Sequence, residues 1–270
     1  MLQKYAVFGN PIQHSLSPKI HQLFAKQFGH DLQYDAIEIP IGQFAATVPG
    51  LIDKGLLGAN VTAPFKGDAL AFAKEKTERA SLAGAANTLV FNREVILADN
   101  TDGAGLVHDL RRLKGNLQGS NVLLIGAGGA SKGVVLPLYS AGVEHITITN
   151  RTIAKAEALA QQFSKYGQVQ VRELQHSPDT PYDIIINCTS SSMQGSLPGV
   201  SPDIYTNAGL VYDMFYHQEK TPFLKSAEQH NHNVQTADGI GMLVGQAAES
   251  YRLWWNESPD IQSVIESLRP

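Results

Sequence analysis

The sequence predicts an α/β chain with two domains, each built on an open, mainly parallel sheet with helices on its faces. Three observations carry this. Short runs rich in β-branched and aromatic residues alternate with helix-length amphipathic stretches, the pattern of strands joined by helical crossovers. The chain has 270 residues, room for two domains of ordinary size. The strand–helix alternation restarts after a Gly/Ser/Asn loop, "GNLQGS" at 115–120, with the apolar run "NVLLIG".

Taken in order, "YAVFG" (5–9) reads as the first strand and "KIHQLFAKQF", after Pro18, as the first helix. "LQYDAIEI" (32–39) is the next strand, and "GQFAATVPGLIDKG" a helix distorted at Pro49. "GANVT" (58–62) is the third strand; the chain then breaks at Pro64 and delivers Lys66 between Phe65 and Gly67. Taken alone, Lys66 reads as a solvated loop lysine. "TLVFN" and "VILAD" lie on either side of "REV", which suggests a hairpin. A helix is predicted from about 103 to 114, "GAGLVHDLRRLK". After the restart come "NVLLIGAGGAS", a helix, the strand "HITIT", a second helix, and the strands "VQVREL", "DIIINCT" and "LVYDMF". Two amphipathic segments, "GMLVGQAAESYRLWW" and "DIQSVIESL", follow as helices. There are no repeats, heptads or low-complexity tracts.

Hydrophobic residues make up 43% of the chain and charged ones 17%, a normal globular balance. A net charge of −4 gives no electrostatic reason to expect nucleic acid or an anionic membrane as a partner. The one cysteine, Cys188, excludes an internal disulfide; in its apolar run it reads as an inert core thiol, and a reducing compartment is permitted. The first residues turn at once into a strand, without the pattern of a signal peptide. No apolar run approaches the roughly 20 residues that span a bilayer. The expectation is a soluble cytoplasmic protein.

"VLLIGAGGAS" is an apolar strand running into a glycine-rich turn with a helix behind it. Gly126 permits the tight turn, and Gly128 lets the backbone approach a pyrophosphate, whose charge meets the amides of the helix N-terminus. Ser131 stands where a third glycine is usual, a small side chain that still allows close helix packing. A helix start that uses glycine for geometry alone is the competing reading; the flanking strand and helix favour dinucleotide binding. The second strand of this unit ends in "NRTIAK", without the acid that would bond the ribose hydroxyls of NAD. Arg151 suits a 2′-phosphate through charge-assisted hydrogen bonds, unless it is simply a surface residue, so the balance tilts to NADP.

Other short stretches are ordinary one by one: "HSLSP" with Ser15 and Ser17, "AGAANT" with Asn87, "ADNTDGAG" with Asp99 and Asp102, "GMLVGQAA" with Gln246. Serine and aspartate at helix starts are usually caps. His14, beside Ser15, invites a general-base reading, but a loop-packing role is the expectation; Asp99 reads as a structural turn residue. Together, however, "GNPIQHSLSP", "NVTAPFK", "AGAANT", "DNTDG", "GAGGAS", "NRT", "YDMFY" and "DGIGMLVGQAA" stand in the order and spacing of the shikimate dehydrogenase family. The chain resembles that family over essentially its whole length.

The resemblance implies NADP-dependent interconversion of 3-dehydroshikimate and shikimate, on the route to chorismate and the aromatic amino acids. It implies a discontinuous substrate domain, 1–101 plus 238–270, a Rossmann-like NADP domain at 102–237, and an active site in the cleft between them. By resemblance, Lys66 and Asp102 form the catalytic pair, and Ser15, Ser17, Thr62, Lys66, Asn87, Asp102, Tyr216 and Gln246 contact the cyclohexene acid. NADP contacts fall on Gly126, Ala127, Gly128, Gly129, Ala130, Asn150, Arg151, Thr152, Lys155, Met214 and Gly239, with Glu78 near the nicotinamide. No metal is implied. Ala63, Gly67 and Cys188 depart from residues common in relatives, and none of the three is a reacting group.

The chemistry suits these residue types. Hydride moves to a ring carbonyl whose oxygen gains charge and needs a proton; a positioned lysine supplies both field and proton, and takes the proton back in the oxidising direction. Lysine in water titrates near pH 10.4, so work as a base calls for desolvation, while a neighbouring carboxylate favours the charged form. Paired serines suit a substrate carboxylate because hydroxyls orient it without a competing charge. Two other readings stay open at this stage. One is an NAD-using quinate/shikimate dehydrogenase, which Arg151 argues against. The other is a non-catalytic NADP-sensing regulator, which would be expected to have lost Lys66 or Asp102. Monomer and homodimer are equally compatible with the sequence.

Overall fold

The structure, a computed structural model, describes residues 2–92 and 95–269. The chain divides into two compact units, Met1–Gly105 with Leu243–Pro270, and Leu106–Met242.

In the first unit, β1 (Gln3–Gly9), β2 (Leu32–Glu38), β3 (Leu56–Val61), β4 (Glu75–Lys76), β5 (Thr88–Phe91) and β6 (Ile96–Asp99) form one sheet in the order β2-β1-β3-β5-β6-β4. The pairs β1–β2, β1–β3 and β4–β6 are parallel; β3–β5 and β5–β6 are antiparallel. The hairpin expected around "REV" is the β5–β6 pair, with Thr88 opposite Asp99; Arg93 and Glu94 themselves lie outside the described residues. Between the strands run α1 (Ser17–Phe28), α2 (Phe44–Asp53), α3 (Lys66–Phe72) and α4 (Glu78–Ala83). The helix α2 continues through Pro49. One face of the sheet closes over a core of Phe8, Phe44, Val48, Phe65 and Leu89.

The second unit repeats the theme in purer form. β7 (Asn121–Ile125), β8 (His145–Thr149), β9 (Val169–Arg172), β10 (Ile184–Asn187), β11 (Leu210–Asp213) and β12 (Gln235–Asp238) form a sheet in the order β12-β11-β10-β7-β8-β9, every pair parallel. Counted from β7 this is the 3-2-1-4-5-6 order of dinucleotide-binding sheets, whose switch point lies where β7 meets β10. Strands such as "IIIN" are buried at every position, as a sheet covered on both faces requires. The connecting helices are α6 (Gly129–Ser140), α7 (Ile153–Phe163) and α8 (Pro222–His230). Both unit boundaries fall inside continuous helices, α5 (Asp102–Lys114) and α9 (Ile240–Trp255); α10 (Ile261–Leu268) ends the fold. Among the described residues no helix is long and apolar enough to cross a membrane.

Lys66 and Cys188 differ here from the sequence expectation. Lys66 is not in a loop: it is the first residue of α3. Cys188 is not a core residue: it follows β10 half-buried, and burial still pushes its thiol up to about 12.

Candidate active site

Lys66 is placed by the residue before it. Phe65 is almost fully buried, its ring 5.7 Å from that of Phe44. Burying a phenylalanine side chain contributes about 2–3 kcal/mol, so the start of α3 is pinned to the core. The Phe65 amide donates to Thr62 O at 3.0 Å, and the Ala86 amide donates to Lys66 O at 2.9 Å. Strand end, proline and phenylalanine thus fix the lysine backbone while its side chain stays 34% exposed. Lys66 Nζ donates to Asp102 Oδ2 at 2.6 Å. Among the described residues no other side chain takes an Nζ proton, so two of the three donors remain available.

Asp102 opens α5, its amide donating to Asn100 Oδ1 at 3.1 Å. Its second oxygen, Oδ1, accepts from Asn87 Nδ2 at 2.8 Å. Asn87, 2% exposed, also donates to Gln246 Oε1 at 3.1 Å, and Gln246 donates to Leu243 O on its own helix. Four of the residues expected at the substrate, Lys66, Asn87, Asp102 and Gln246, therefore form one hydrogen-bonded chain drawn from α3, the residue before β5, α5 and α9. Ser15 and Ser17 stand together at the head of α1, where the Ser17 amide donates to Ser15 Oγ at 3.3 Å. Thr62, just after β3, is half-buried, and its amide donates to Phe8 O at 2.8 Å. His14 is exposed.

Asp99 is not a turn residue. It ends β6, 1% exposed, and accepts from Thr77 Oγ1 and, through both oxygens, from Arg79 Nε and Nη2 at 2.7 and 2.5 Å. Arg79 also meets Glu249, which Arg252 grips in turn. Burial alone would push the Glu249 carboxyl up, but Arg252 and Arg79 outweigh it and hold it below the usual range.

In the second unit the glycine turn follows β7. Gly126 has φ of +111°, a left-handed conformation that favours glycine. A Cβ on Gly128 or Gly129 would meet no protein atom within 4 Å, so the protein's own packing does not demand glycine there; the space is open to a ligand. No side chain caps α6, whose amides and dipole favour an anion. Ser131 does more than replace a glycine: fully buried, it donates to Gly126 O at 2.7 Å and ties the turn shut. Asn150 accepts from the Ala127 amide at 3.3 Å and donates to Thr152 O at 2.8 Å, joining the turn to the end of β8. A groove of about 520 Å³ opens here, lined in part by Gly126, Ala127, Gly128, Asn150, Arg151 and Thr189. Arg151, Thr152 and Lys155 are exposed, as is Ala130. The donors, the open glycines and the arginine fit a dinucleotide phosphate.

Met214 and Gly239 come together: the Gly239 amide donates to Phe215 O, and a Cβ on Gly239 would collide with Met214 O. Tyr216, exposed, stacks on Phe215 in the second unit, and burial of part of its ring raises its phenol. Glu78 heads α4 in the first unit, behind its cap Thr77. Sequence reasoning missed the groove wall. Thr189 donates to Asn187 Oδ1 at 2.7 Å, and Ser192 donates to the buried Asp213. The polar run "NCTSSS" after an apolar strand was the signal for it.

Three family models match the chain. The model described as shikimate dehydrogenase substrate binding domain matches residues 7–89, that for shikimate / quinate 5-dehydrogenase matches 109–194, and that for the shikimate 5'-dehydrogenase C-terminal domain matches 239–269. The chain is 49% identical over 269 residues to a shikimate dehydrogenase (NADP(+)) of Pseudoalteromonas atlantica, covering 99% of each. Among solved structures it is similar to an Ael1 enzyme from Pseudomonas putida, with a TM-score of 0.95, 40% identity and coverage of 99% and 98%. It is also similar to a shikimate 5-dehydrogenase of Thermus thermophilus in complex with NADP(H) and shikimate, with a TM-score of 0.87, 28% identity and 98% of each chain covered.

Proposed function

Since the chain belongs to the shikimate dehydrogenase family, we propose that it catalyses the reversible NADP-dependent interconversion of 3-dehydroshikimate and shikimate, with Lys66 and Asp102 managing the proton. The observation that carries this is the 2.6 Å Lys66–Asp102 pair, continued through Asn87 to Gln246. When bound, NADPH would supply the hydride in the reducing direction and NADP+ would accept it in the oxidising one. In the reducing direction Lys66 Nζ faces the oxygen that gains charge and gives it a proton; in the oxidising direction it takes that proton back. Asp102 keeps the ammonium aimed. Ser15 and Ser17 donate hydroxyl hydrogen bonds to the ring carboxylate, and Thr62, Asn87, Tyr216 and Gln246 complete the contacts to the ring.

Gly126 to Ala130 hold the pyrophosphate, and Asn150, Arg151, Thr152 and Lys155 surround the 2′-phosphate. Met214 and Gly239 add further NADP contacts, and Glu78 stands near the nicotinamide. The product feeds aromatic amino-acid synthesis. A cytoplasmic location belongs to the same proposal, supported by a lone cysteine that forms no internal disulfide.

The test follows NADPH absorbance with shikimate as substrate. Shikimate-dependent NADPH formation supports the reading; none at any enzyme concentration rejects it in favour of a regulator. Running quinate and NAD alongside separates it from a quinate-using, NAD-linked relative.

A further inference from the structure

Three hydroxyls, of Thr88, Thr101 and Ser250, meet inside the first unit, and none is exposed. Thr88 Oγ1 lies 2.8 Å from Ser250 Oγ, and Thr101 Oγ1 lies 3.2 Å from it. The cluster sits directly behind the Asn87 amide. Chemistry fixes which way that amide points. The Thr101 backbone N–H, 2.8 Å away, can only donate and so faces Oδ1; the Asp102 carboxylate, 2.8 Å away, accepts and so faces Nδ2. The Thr88 hydroxyl donates to the same Oδ1 at 2.9 Å.

Among the described residues, the Asp102 carboxylate is gripped by two side chains, Lys66 and Asn87. Lys66 is a long, partly exposed side chain; Asn87 is buried and saturated. The carboxylate therefore takes its position from the Asn87 side, and the lysine follows it.

We propose that Thr88 is a positioning residue, its hydroxyl holding the Asn87 amide and, through it, the Asp102 carboxylate aimed at Lys66. The proposal rests on the reaction assigned above. Thr88 itself touches neither substrate nor cofactor. Because the Thr101 N–H and, at 3.1 Å, the Thr101 hydroxyl also hold Oδ1, losing the Thr88 hydroxyl loosens the amide without freeing it, and a moderate effect follows.

Thr88→Val removes the hydroxyl at nearly constant volume. It lowers kcat for shikimate oxidation about ten-fold, the scale of one buried hydrogen bond, while the NADP dissociation constant by calorimetry stays unchanged. Thr88→Ser keeps the hydroxyl and stays within about three-fold of wild type. In an Asp102→Asn background Thr88→Val costs little more, because the effect runs through the carboxylate. Should Thr88→Val fail to fold, Thr88→Ala against Thr88→Ser gives the same comparison, since those two differ by one oxygen. Equal losses in the Ser and Val variants, an unchanged kcat in Thr88→Val, or full additivity with Asp102→Asn each overturn the proposal. A wild-type enzyme inactive on shikimate overturns the assigned reaction and this proposal together; an active wild type with an unaffected Thr88→Val overturns this proposal alone.

Discussion

Replacing His21 with glutamine removes a titrating group from the heart of the first unit. His21 has no exposed surface; its ring stacks on Tyr34 at 4.3 Å and meets Phe24 edge-on, with Trp254 beside it. Nε2 is 3.0 Å from Asn60 Oδ1. Since Asn60 Nδ2 donates to Asn87 O, Oδ1 is an acceptor and the imidazole carries its proton on Nε2. Burial is the main cause that pushes the His21 pKa down to about 3; the Asn60 bond opposes it. The unfolded value is near 6.5. Between these values the unfolded chain binds the proton and the folded chain does not. Stability therefore rises with pH across this window; it is fully present above about pH 6.5 and is lost as pH falls toward 3. At about pH 5 the loss relative to about pH 8 is roughly 2 kcal/mol for this one group. Urea unfolding of wild type and His21→Gln at both pH values isolates the term, because other carboxylates and histidines cancel in the difference. The stability advantage of wild type over the variant shrinks by about 2 kcal/mol on acidification. An advantage independent of pH would refute the argument that His21 is held neutral by burial.

Three further predictions concern the site. Wild type prefers NADP over NAD by at least about ten-fold in kcat/KM, worth about 1.4 kcal/mol, and Arg151→Ala weakens NADP far more than NAD; equal losses would show that Arg151 does not read the 2′-phosphate. Ser15→Ala with Ser17→Ala raises KM for shikimate by roughly 30- to 150-fold, two lost hydrogen bonds at about 1–1.5 kcal/mol each. Calorimetry then finds NADP affinity nearly intact, and a collapse of that affinity would move the serines out of the substrate site. Asp102→Ala cuts kcat, and its combination with Lys66→Ala costs less than the product of the single losses, since paired residues act as a unit; a fully multiplicative double variant would separate them.

Much of this was legible along the chain because it follows from local pattern. Apolar strands, helix-length spacers and the glycine turn at Gly126 are short-range signals, and the parallel sheets follow from them. The Lys66–Asp102 pair came from motif order, not from spacing: residues so far apart in sequence meet only because β5 and β6 bring the start of α5 against the start of α3. The support behind the pair was invisible. Asn60, Thr88, Thr101 and Ser250 come from separate elements, and each alone is an ordinary polar residue in a strand, loop or helix. Ser131 read as a tolerated departure, yet its hydroxyl closes the turn, a role that depends on where Gly126 O points. The expectation for Cys188 failed because strand β10 ends just before it, at Asn187, and the chain leaves the core there. The short β12 is not legible because "QTAD" has no apolar alternation, and α8 announces itself only through its start, Thr221 before Pro222.

The mechanism stands or falls on Lys66, whose amine is held by Asp102 with protons to spare. The measurement is kcat for NADP-linked shikimate oxidation by Lys66→Ala, with circular dichroism confirming the fold. The expected result is a fall of roughly 100- to 10,000-fold, the usual scale for a positioned acid/base, with a much smaller change in KM because a transition-state interaction is what is lost. A folded variant that keeps more than about a tenth of the wild-type kcat would return Lys66 to a solvated lysine at the start of a short helix.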